Sequence, residues 1–288
     1  MRTGLKITAF AAGLASAFGA AYGVGVGTAP VVTAKERPAS EHGGHETPEA
    51  APAAADVPGG LQVSDRGYTL DLERDRLPGL TGEIRFAIRK DSTGAPVTAY
   101  KKEHDKELHL IVASRDLTAY RHLHPVRAAD GTWSTPVSLP KAGDYRVFAD
   151  FTPSGEKEGL TLGTGIGVAG PYAPAALPAP SPTAHVADGY EVRVQGALKP
   201  GAASELTLRI SQNGRPVTDL EPYLGAYGHL VALRSGDLAY LHVHPHDGEA
   251  GPRVSFTAMA PSEGTYRLFL DFKHGGKVRT AAFTVRAA

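Results

Sequence analysis

The sequence contains no cysteine, and Met259 is its only methionine besides Met1. The absence of cysteine excludes disulfide bonds, thiolate metal sites and a cysteine nucleophile. With so few thioethers, a methionine-rich Cu(I) site is unfavourable, whereas imidazole and carboxylate ligands suit Cu(II), Zn or Ni. The formal net charge is zero and no basic stripe occurs, so no nucleic-acid partner is predicted.

Catalytic motifs are also missing. The sequence has no HExxH, P-loop or Gly-x-Ser-x-Gly motif. Residues 165–170 spell GxGxxG, but Pro171 follows at once, so no helix can begin there as a dinucleotide site requires. No candidate general base stands out near the histidines discussed below. We therefore predict that the protein is not an enzyme.

The first 34 residues are typical of an export signal. Arg2 and Lys6 form a basic start, and no charged residue follows until Lys35. Residues 15–17 (ASA) or 32–34 (VTA) fit a cleavage site. The charge-free span is also long enough to cross a bilayer, and basic residues inside would leave the remainder outside the cytoplasm. The sequence predicts a protein that is secreted, or anchored on the outer face of the cytoplasmic membrane.

Residues 35–60 are rich in proline, alanine and glutamate and lack any apolar period. Such a composition predicts a disordered linker. His42 and His45 lie in it as His-Gly-Gly-His. A metal-gathering arm is one interpretation; solvated linker histidines are favoured, because a flexible segment must be ordered before it can bind.

From residue 61 the sequence consists of short alternating runs that are typical of strands. In residues 82–88, for example, Ile84, Phe86 and Ile88 fall on one face. The runs recur at an offset of 120 to 122 residues, and residues 143–151 (GDYRVFADF) return at 264–272 as GTYRLFLDF. We predict an all-β fold with two tandem immunoglobulin-like β-sandwich domains. The predicted organisation is a signal peptide or anchor at 1–34, a linker at 35–60, domains at 61–170 and 186–288, and a proline-rich linker at 171–185 between them.

The most informative stretch is HLIVASRDLTAYRHLHP at residues 109–125, which returns at 229–245 as HLVALRSGDLAYLHVHP. Two β-runs flank a polar turn in each copy, which predicts a β-hairpin. Residues two apart share a face of a strand, so His122 and His124 point the same way.

The pairing register of this hairpin decides where its histidines meet. Directly opposed residues of an antiparallel pair share a face. A four-residue turn at 115–118 pairs Ala113 with Tyr120, Ile111 with His122 and His109 with His124; a slip by two pairs His109 with His122. Either register gathers three imidazoles at the open end of one face, and the second copy does the same with His229, His242 and His244.

Two aspartates also match between the copies, Asp150 and Asp271. Each could be a fourth ligand or an acceptor that orients an imidazole. A salt bridge to Arg146 or Arg267 is the alternative. The candidate metal ligands are therefore His109, His122, His124, Asp150, His229, His242, His244 and Asp271. His104 and His246 fit exposed surface as well as ligation.

The pattern Asp-Leu-x-x-Tyr-x-His-x-His-Pro followed by Gly-x-Tyr-Arg-x-Phe-x-Asp-Phe resembles that of exported bacterial proteins, actinobacterial in appearance, described as heavy-metal- or copper-binding. The resemblance covers residues 61–288. It implies β-sandwich domains, copper handling outside the membrane, and a ligand role for the six hairpin histidines, with the two aspartates following. The sequence departs from the pattern in having no methionine cluster, which disfavours Cu(I) delivery.

Two classes of function remain open. One is an exported carrier or buffer that holds a divalent ion in each domain, with copper(II) favoured and zinc as the other choice. Binding should then weaken below about pH 6.5, as the imidazoles protonate. The alternative is a metal-free cell-surface interaction module with structural His–Tyr networks, because a lone histidine on an apolar strand is usually a hydrogen-bonded core residue.

Overall fold

The computed structural model describes residues 57–241, 243–246 and 248–288. The predicted signal or anchor segment, most of the linker at 35–60 with His42 and His45, and His242 lie outside the described residues. In the described part of the chain, no helix has the length and apolarity that crossing a bilayer requires.

The first domain is a β-sandwich. Within residues 64–168, all of which are described, one sheet has the order β1-β2-β4-β9-β8 and the facing sheet the order β3-β11-β10-β6-β7, with β5 paired to β10. The strands are β1 (Ser64–Asp65), β2 (Tyr68–Leu72), β3 (Arg76–Leu77), β4 (Thr81–Lys90), β5 (Tyr100–Lys101), β6 (Leu108–Ser114), β7 (Tyr120–Leu123), β8 (Val126–Arg127), β9 (Thr132–Ser138), β10 (Gly143–Pro153) and β11 (Leu160–Val168).

The second domain repeats this plan. One sheet has the order β12-β13-β14-β18-β17, with β15 paired to β14, and the other has the order β16-β19-β20. The strands are β12 (Thr183–Val186), β13 (Tyr190–Gln195), β14 (Ala203–Gln212), β15 (Arg215–Pro216), β16 (His229–Arg234), β17 (Val243–Pro245), β18 (Arg253–Met259), β19 (Gly264–His274) and β20 (Lys277–Ala287). The predicted all-β fold of two tandem immunoglobulin-like sandwiches is confirmed.

Each sandwich has its own core because its strands alternate between apolar and polar residues. In β4, Ile84, Phe86 and Ile88 are buried between the sheets. Trp133, the single tryptophan of the chain, stacks on Phe86 at 6.4 Å between ring centroids. Its indole is buried, so its fluorescence reports on the first domain alone.

A third apolar cluster joins the two domains. It is built from the outward faces of β6, β7 and β10 in one domain and of β16 and β19 in the other. Tyr120 stacks on Phe269 at 4.1 Å, and its counterpart Tyr240 contacts Phe148 at 5.7 Å. The same patch of each domain contacts its equivalent in the other. The two sides of the interface are therefore related by a pseudo-two-fold axis. The face of the hairpin that carries the histidines is therefore buried between the domains.

The segment just before β1 is fixed across this interface. Tyr240 N–H donates to the Gly59 carbonyl at 2.9 Å. Arg146 donates from Nε to the Gly60 carbonyl at 2.7 Å and from Nη2 to the Leu61 carbonyl at 2.8 Å. Gly163 of β11 lies directly beneath this segment. The Arg146 side chain thus supplies hydrogen-bond donors to backbone carbonyls that lie outside the strands.

We expect Gly163→Ala to destabilise the protein by about 1–3 kcal/mol, because overpacking against fixed backbone forces it to shift. A Cβ at this position would lie 2.1 Å from the Gly60 carbonyl oxygen and 2.9 Å from Arg146 Nε. Gly165 lies two residues along the same strand, and a Cβ there meets nothing within 4 Å. Gly165→Ala should change the unfolding free energy by less than about 0.5 kcal/mol. Equal losses in denaturant titrations followed by Trp133 fluorescence would contradict the assigned contact.

Candidate metal centre

The hairpin of the first domain adopts the first of the two predicted registers. Ala113 pairs with Tyr120 and Ile111 pairs with His122. The turn closes with Leu117 in a left-handed conformation (φ 54°) and donating to the Ser114 carbonyl at 2.8 Å. After Leu123 the chain leaves β6 and crosses to the other sheet as β8. His124 lies at this crossing, beside the end of β6 where His109 stands.

The three histidines of this hairpin come together as predicted. One ring nitrogen from each of His109, His122 and His124 can be chosen so that all three lie within 4.8 Å of one another. The closest pair is His109 Nδ1 and His122 Nε2, at 3.0 Å. The ring centroids of His124 lie 5.2 Å from His109 and 4.8 Å from His122. We call these residues the histidine triad.

The outer nitrogens of two triad members contact acceptors. His109 Nε2 lies 3.1 Å from the Glu103 carbonyl oxygen, and His122 Nδ1 lies 2.9 Å from Asp271 Oδ2. A carbonyl and a carboxylate only accept, so both outer nitrogens must carry the proton. Each neutral imidazole has one N–H, which leaves His109 Nδ1 and His122 Nε2 as two lone pairs facing each other at 3.0 Å. Only a further proton or a cation between them makes this contact favourable.

The third triad member offers a nitrogen without a partner. His124 Nε2 is buried and makes no hydrogen bond to any described residue. Buried polar atoms in native proteins are nearly always satisfied, so an orphan of this kind indicates a missing partner.

Burial keeps two rings of the triad, those of His109 and His124, in the form that binds metal. Desolvation, followed by the neighbouring His122 ring, lowers the pKa of His109 to about 3. The same two causes lower the pKa of His124 to about 3. Both rings are therefore neutral at pH 7, the state in which imidazole donates a lone pair. Proton competition in the folded protein begins well below the pH of about 6.5 expected for exposed imidazoles.

His229 of the second domain lies beside the triad. Its Nε2 lies 2.7 Å from the Tyr223 carbonyl oxygen, as His109 Nε2 does from that of Glu103. Burial lowers its pKa to about 4. Its ring centroid is 6.3 Å from that of His109 and 6.2 Å from that of His122. A cavity of about 70 Å³ is lined by His109, His122 and His229 together, so the site spans the domain boundary.

The other predicted histidines of the second copy are placed differently. His244 is exposed on β17, where it pairs with Thr257 of β18 in the other sheet. His242 lies outside the described residues. Among the residues that the structure describes, the grouping of three ligand nitrogens is found in the first copy.

Asp271 acts as an orienting acceptor for the triad. Besides His122 Nδ1, its carboxylate accepts from Tyr120 Oη at 3.4 Å and from Thr280 Oγ1 at 2.5 Å. Arg267, its predicted ion-pair alternative, donates from Nη1 to Thr284 Oγ1 at 2.9 Å. Asp271 belongs to the second domain, and its contact with His122 of the first domain fixes the tautomer of that histidine.

Asp150 lies directly opposite His109 in the β6–β10 ladder and lines the same cavity. It accepts from Thr161 Oγ1 at 3.1 Å. Arg146, its proposed ion-pair partner, donates instead to the backbone carbonyls of Gly60, Leu61 and Gly163. The carboxylate therefore stands at the cavity wall rather than in the group of triad nitrogens.

Two halves of the chain, residues 62–163 and 184–288, match one family model, which is described as "Domain of unknown function (DUF8832)". The chain belongs to the DUF8832 family. Each of its two DUF8832 domains corresponds to one sandwich. No curated protein matches the sequence.

Several solved structures resemble the DUF8832 pair at low similarity. The adhesin FdeC of Escherichia coli is 18% identical over 81% of this chain and 67% of its own, with a TM-score of 0.24. The adhesin InvE of Yersinia pseudotuberculosis is 12% identical over 78% and 60%, with a TM-score of 0.26. Domains 4 and 5 of the S-layer protein SbsC are 13% identical over 79% and 99%, with a TM-score of 0.24. Scores at this level carry no functional inference.

Proposed function

We propose that this DUF8832 protein is an exported metal-binding carrier or buffer that holds Cu(II) or Zn(II) with His109, His122 and His124. The observation behind the proposal is the pair of inward-facing lone pairs on His109 Nδ1 and His122 Nε2, 3.0 Å apart. A cation at this point completes the contact, and the unpartnered Nε2 of His124 supplies a third donor.

The donor set and its spacing suit such an ion. Zn²⁺ binds imidazole nitrogen at about 2.0–2.1 Å, so two nitrogens on one tetrahedral ion lie about 3.3 Å apart. The His109–His122 pair is already close to this spacing, and a ring nitrogen of His124 lies within 4.8 Å of both. Three imidazoles leave a fourth position for a carboxylate, water or a transfer partner. The resemblance of the motif favours copper(II). The same imidazole nitrogens are equally suitable ligands for zinc.

The export part of the proposal is supported by the basic and then charge-free start of the sequence, at residues 1–34. The choice between a secreted and a membrane-anchored form depends on cleavage of this segment. A protein without cysteine is also compatible with an oxidising compartment.

A second candidate function follows from another feature of the same residues. His109, His122 and Asp271 form a hydrogen-bonded chain that crosses the domain boundary. Such a chain could brace a metal-free cell-surface interaction module without any ion. Its three contacts, from the Glu103 carbonyl to Asp271, need three protons, whereas two neutral rings provide two. Without a metal ion, this series of hydrogen bonds therefore requires one additional proton. A bound cation takes the place of that proton.

We expect His122→Ala combined with His124→Ala to remove one tightly bound Cu(II) or Zn(II) per chain, with affinity falling by at least about 100-fold. Metal analysis after gel filtration and calorimetric titration of the full chain measure both quantities. His185→Ala is the matched control, because the His185 side chain is 79% exposed and lies beside Glu191 on the second domain.

His124→Ala alone keeps this test independent of folding. The substitution leaves the hydrogen bonds of His109, His122 and Asp271 intact, because His124 Nε2 contributes none to them. The metal-binding proposal predicts a large loss of affinity with little loss of stability. Retention of the ion in both variants would reject the triad, and a protein that binds no ion at all would favour the metal-free module.

A further inference from the structure

The contact between His122 and Asp271 joins the two domains at the histidine triad. His122 belongs to β7 of the first domain, and Asp271 belongs to β19 of the second. His122 Nδ1 lies 2.9 Å from Asp271 Oδ2, and the two side chains are only 6% and 4% exposed. The three ligand nitrogens all come from the first domain. The triad therefore has its full set of contacts only while the two domains are docked.

A neutral His122 cannot satisfy both of its neighbours. Its Nε2 lies 3.0 Å from His109 Nδ1, and His109 carries its own proton on Nε2, where the Glu103 carbonyl accepts at 3.1 Å. His122 thus has one proton for two contacts. A proton on Nδ1 leaves two lone pairs facing each other, and a proton on Nε2 leaves a lone pair facing the Asp271 carboxylate. The docked, metal-free protein therefore keeps one unfavourable buried contact, which native proteins rarely tolerate.

Separation of the domains removes this conflict without a metal ion. Once Asp271 has moved away, His122 carries its proton on Nε2 and donates to His109 Nδ1, while water donates to the exposed Nδ1. The number of bound protons does not change, because the proton only moves between the two nitrogens of one ring. In this tautomer His122 Nε2 no longer offers a lone pair to a metal ion. The triad of the separated domains is therefore a weaker metal ligand.

We propose that metal binding and domain docking are coupled, so that the ion fastens the two domains together and their separation releases the ion. This inference rests on the proposed function for the presence of the ion. A cation between His109 Nδ1 and His122 Nε2 removes the conflict of the docked state. By thermodynamic linkage, docking raises the affinity for the ion by the same factor as the ion favours docking. We expect a factor of about 10–100, the usual effect of an orienting acceptor.

Leu238 offers a way to separate the domains without changing the triad. It is 2% exposed and belongs to the apolar cluster that joins the domains, and the core of its own sandwich is a different cluster. It does not line the cavity that His109, His122 and His229 share. Its φ is 65°, a conformation that aspartate adopts readily. Leu238→Asp therefore keeps the turn and places an unpaired carboxylate in the cluster, where domain separation hydrates it.

Spin labels measure docking cleanly, because the chain has no cysteine of its own. Ser92→Cys in the first domain and Ala202→Cys in the second provide exposed attachment points. In the labelled full chain, Leu238→Asp should broaden the distance distribution and lower the Zn(II) affinity by about 10–100-fold, and saturating Zn(II) should narrow the distribution again. Leu80→Asp, at a leucine that is 43% exposed, is the matched control and should change neither quantity.

The double variant Leu238→Asp/Asp271→Ala tests whether Asp271 acts through docking. It should bind Zn(II) no more weakly than Leu238→Asp alone, because the separated first domain no longer contacts Asp271. Losses of affinity that simply add would overturn the coupling. The fluorescence of Trp133, which is 2% exposed, verifies that the first domain remains folded in each variant.

The outcomes distinguish the coupling from the proposed function. A separated Leu238→Asp protein that binds Zn(II) as tightly as the wild type overturns the coupling and leaves the triad in place. A wild type that binds no Zn(II) rejects the triad and the coupling with it. If the labels show that Leu238→Asp stays docked, Leu117→Asp adds a second carboxylate to the same cluster, and the same results decide.

Discussion

Asp271→Ala is expected to lower the free energy of unfolding by about 3–5 kcal/mol, because it leaves three donors without the buried carboxylate that accepts from them. Asp271 is 3% exposed and accepts from His122, Tyr120 and Thr280. Two of these donors, His122 and Tyr120, belong to the first domain, whereas Asp271 itself belongs to the second. The substitution leaves donors unsatisfied where water cannot replace the carboxylate, at about 1–3 kcal/mol for each buried group.

The same substitution should weaken Cu(II) or Zn(II) binding by about 10–100-fold, as loss of an orienting acceptor does at other metal-bound histidines. Without Asp271, the proton of His122 is free to move from Nδ1 to Nε2, the nitrogen that faces His109 at 3.0 Å. A protonated Nε2 cannot donate a lone pair. Denaturant titration of the metal-free protein and calorimetry with the metal measure the two effects separately.

An exposed pair in the same domain provides the control for Asp271. His274 Nε2 lies 3.1 Å from Asp219 Oδ1, and the Asp219 side chain is 79% exposed. Asp219→Ala should cost less than about 1 kcal/mol and leave metal affinity unchanged. Similar effects of the two substitutions would show that Asp271 neither fastens the interface nor orients His122.

The sequence predicts the local part of this site well. The register that pairs Ile111 with His122 is one of the two that the turn and the alternation of a strand allow, and both of these are properties of adjacent residues. The gathering of His109 and His124 at the open end follows in turn. The repeat at an offset of about 120 residues likewise predicts two domains, because each copy carries a complete alternating pattern.

The partners across the domain boundary are beyond such reasoning. Asp271 lies 149 residues from His122 in the chain, and no periodicity relates them. Strand alternation identifies a face but does not say whether solvent or another domain covers it. One signal was present: β6 reads Leu-His-Leu-Ile-Val-Ala-Ser and is apolar on both faces, which indicates burial on both sides. One of these two faces, the one that carries Ile111, contacts the second domain together with Tyr120.

The second copy shows that a repeated motif does not fix a repeated path. The sequence after Tyr240 preserves His-x-His-Pro, yet His244 lies on a strand paired with β18 and is exposed. In the first copy the corresponding His124 is still at the end of the β6–β7 hairpin when the chain crosses over. The same motif is therefore compatible with two different paths of the chain.

The metal-free protein is expected to lose about 4 kcal/mol of stability between pH 7 and pH 5. The pKa of His109 is about 3 in the folded protein and that of His229 about 4, against about 6.5 in an unfolded chain. Between these values the unfolded state binds more protons, so its population rises as the pH falls. The stabilisation that these histidines provide when they are buried in the neutral form is fully present above pH 6.5. At pH 5, each of these histidines has lost about 2 kcal/mol, and the partly exposed His124 adds a smaller amount.

His229→Gln tests this linkage within a single measurement. Whatever its effect at pH 7, the variant should lose about 2 kcal/mol less than the wild type between pH 7 and pH 5, because one depressed pKa has been removed. His185→Ala removes a histidine that is 79% exposed and should leave the pH dependence unchanged. Denaturant titrations in the presence of a chelator give the values. A wild-type stability that is flat over this range would mean that the imidazoles are hydrated, and the depressed pKa values of His109 and His229 would have to be abandoned.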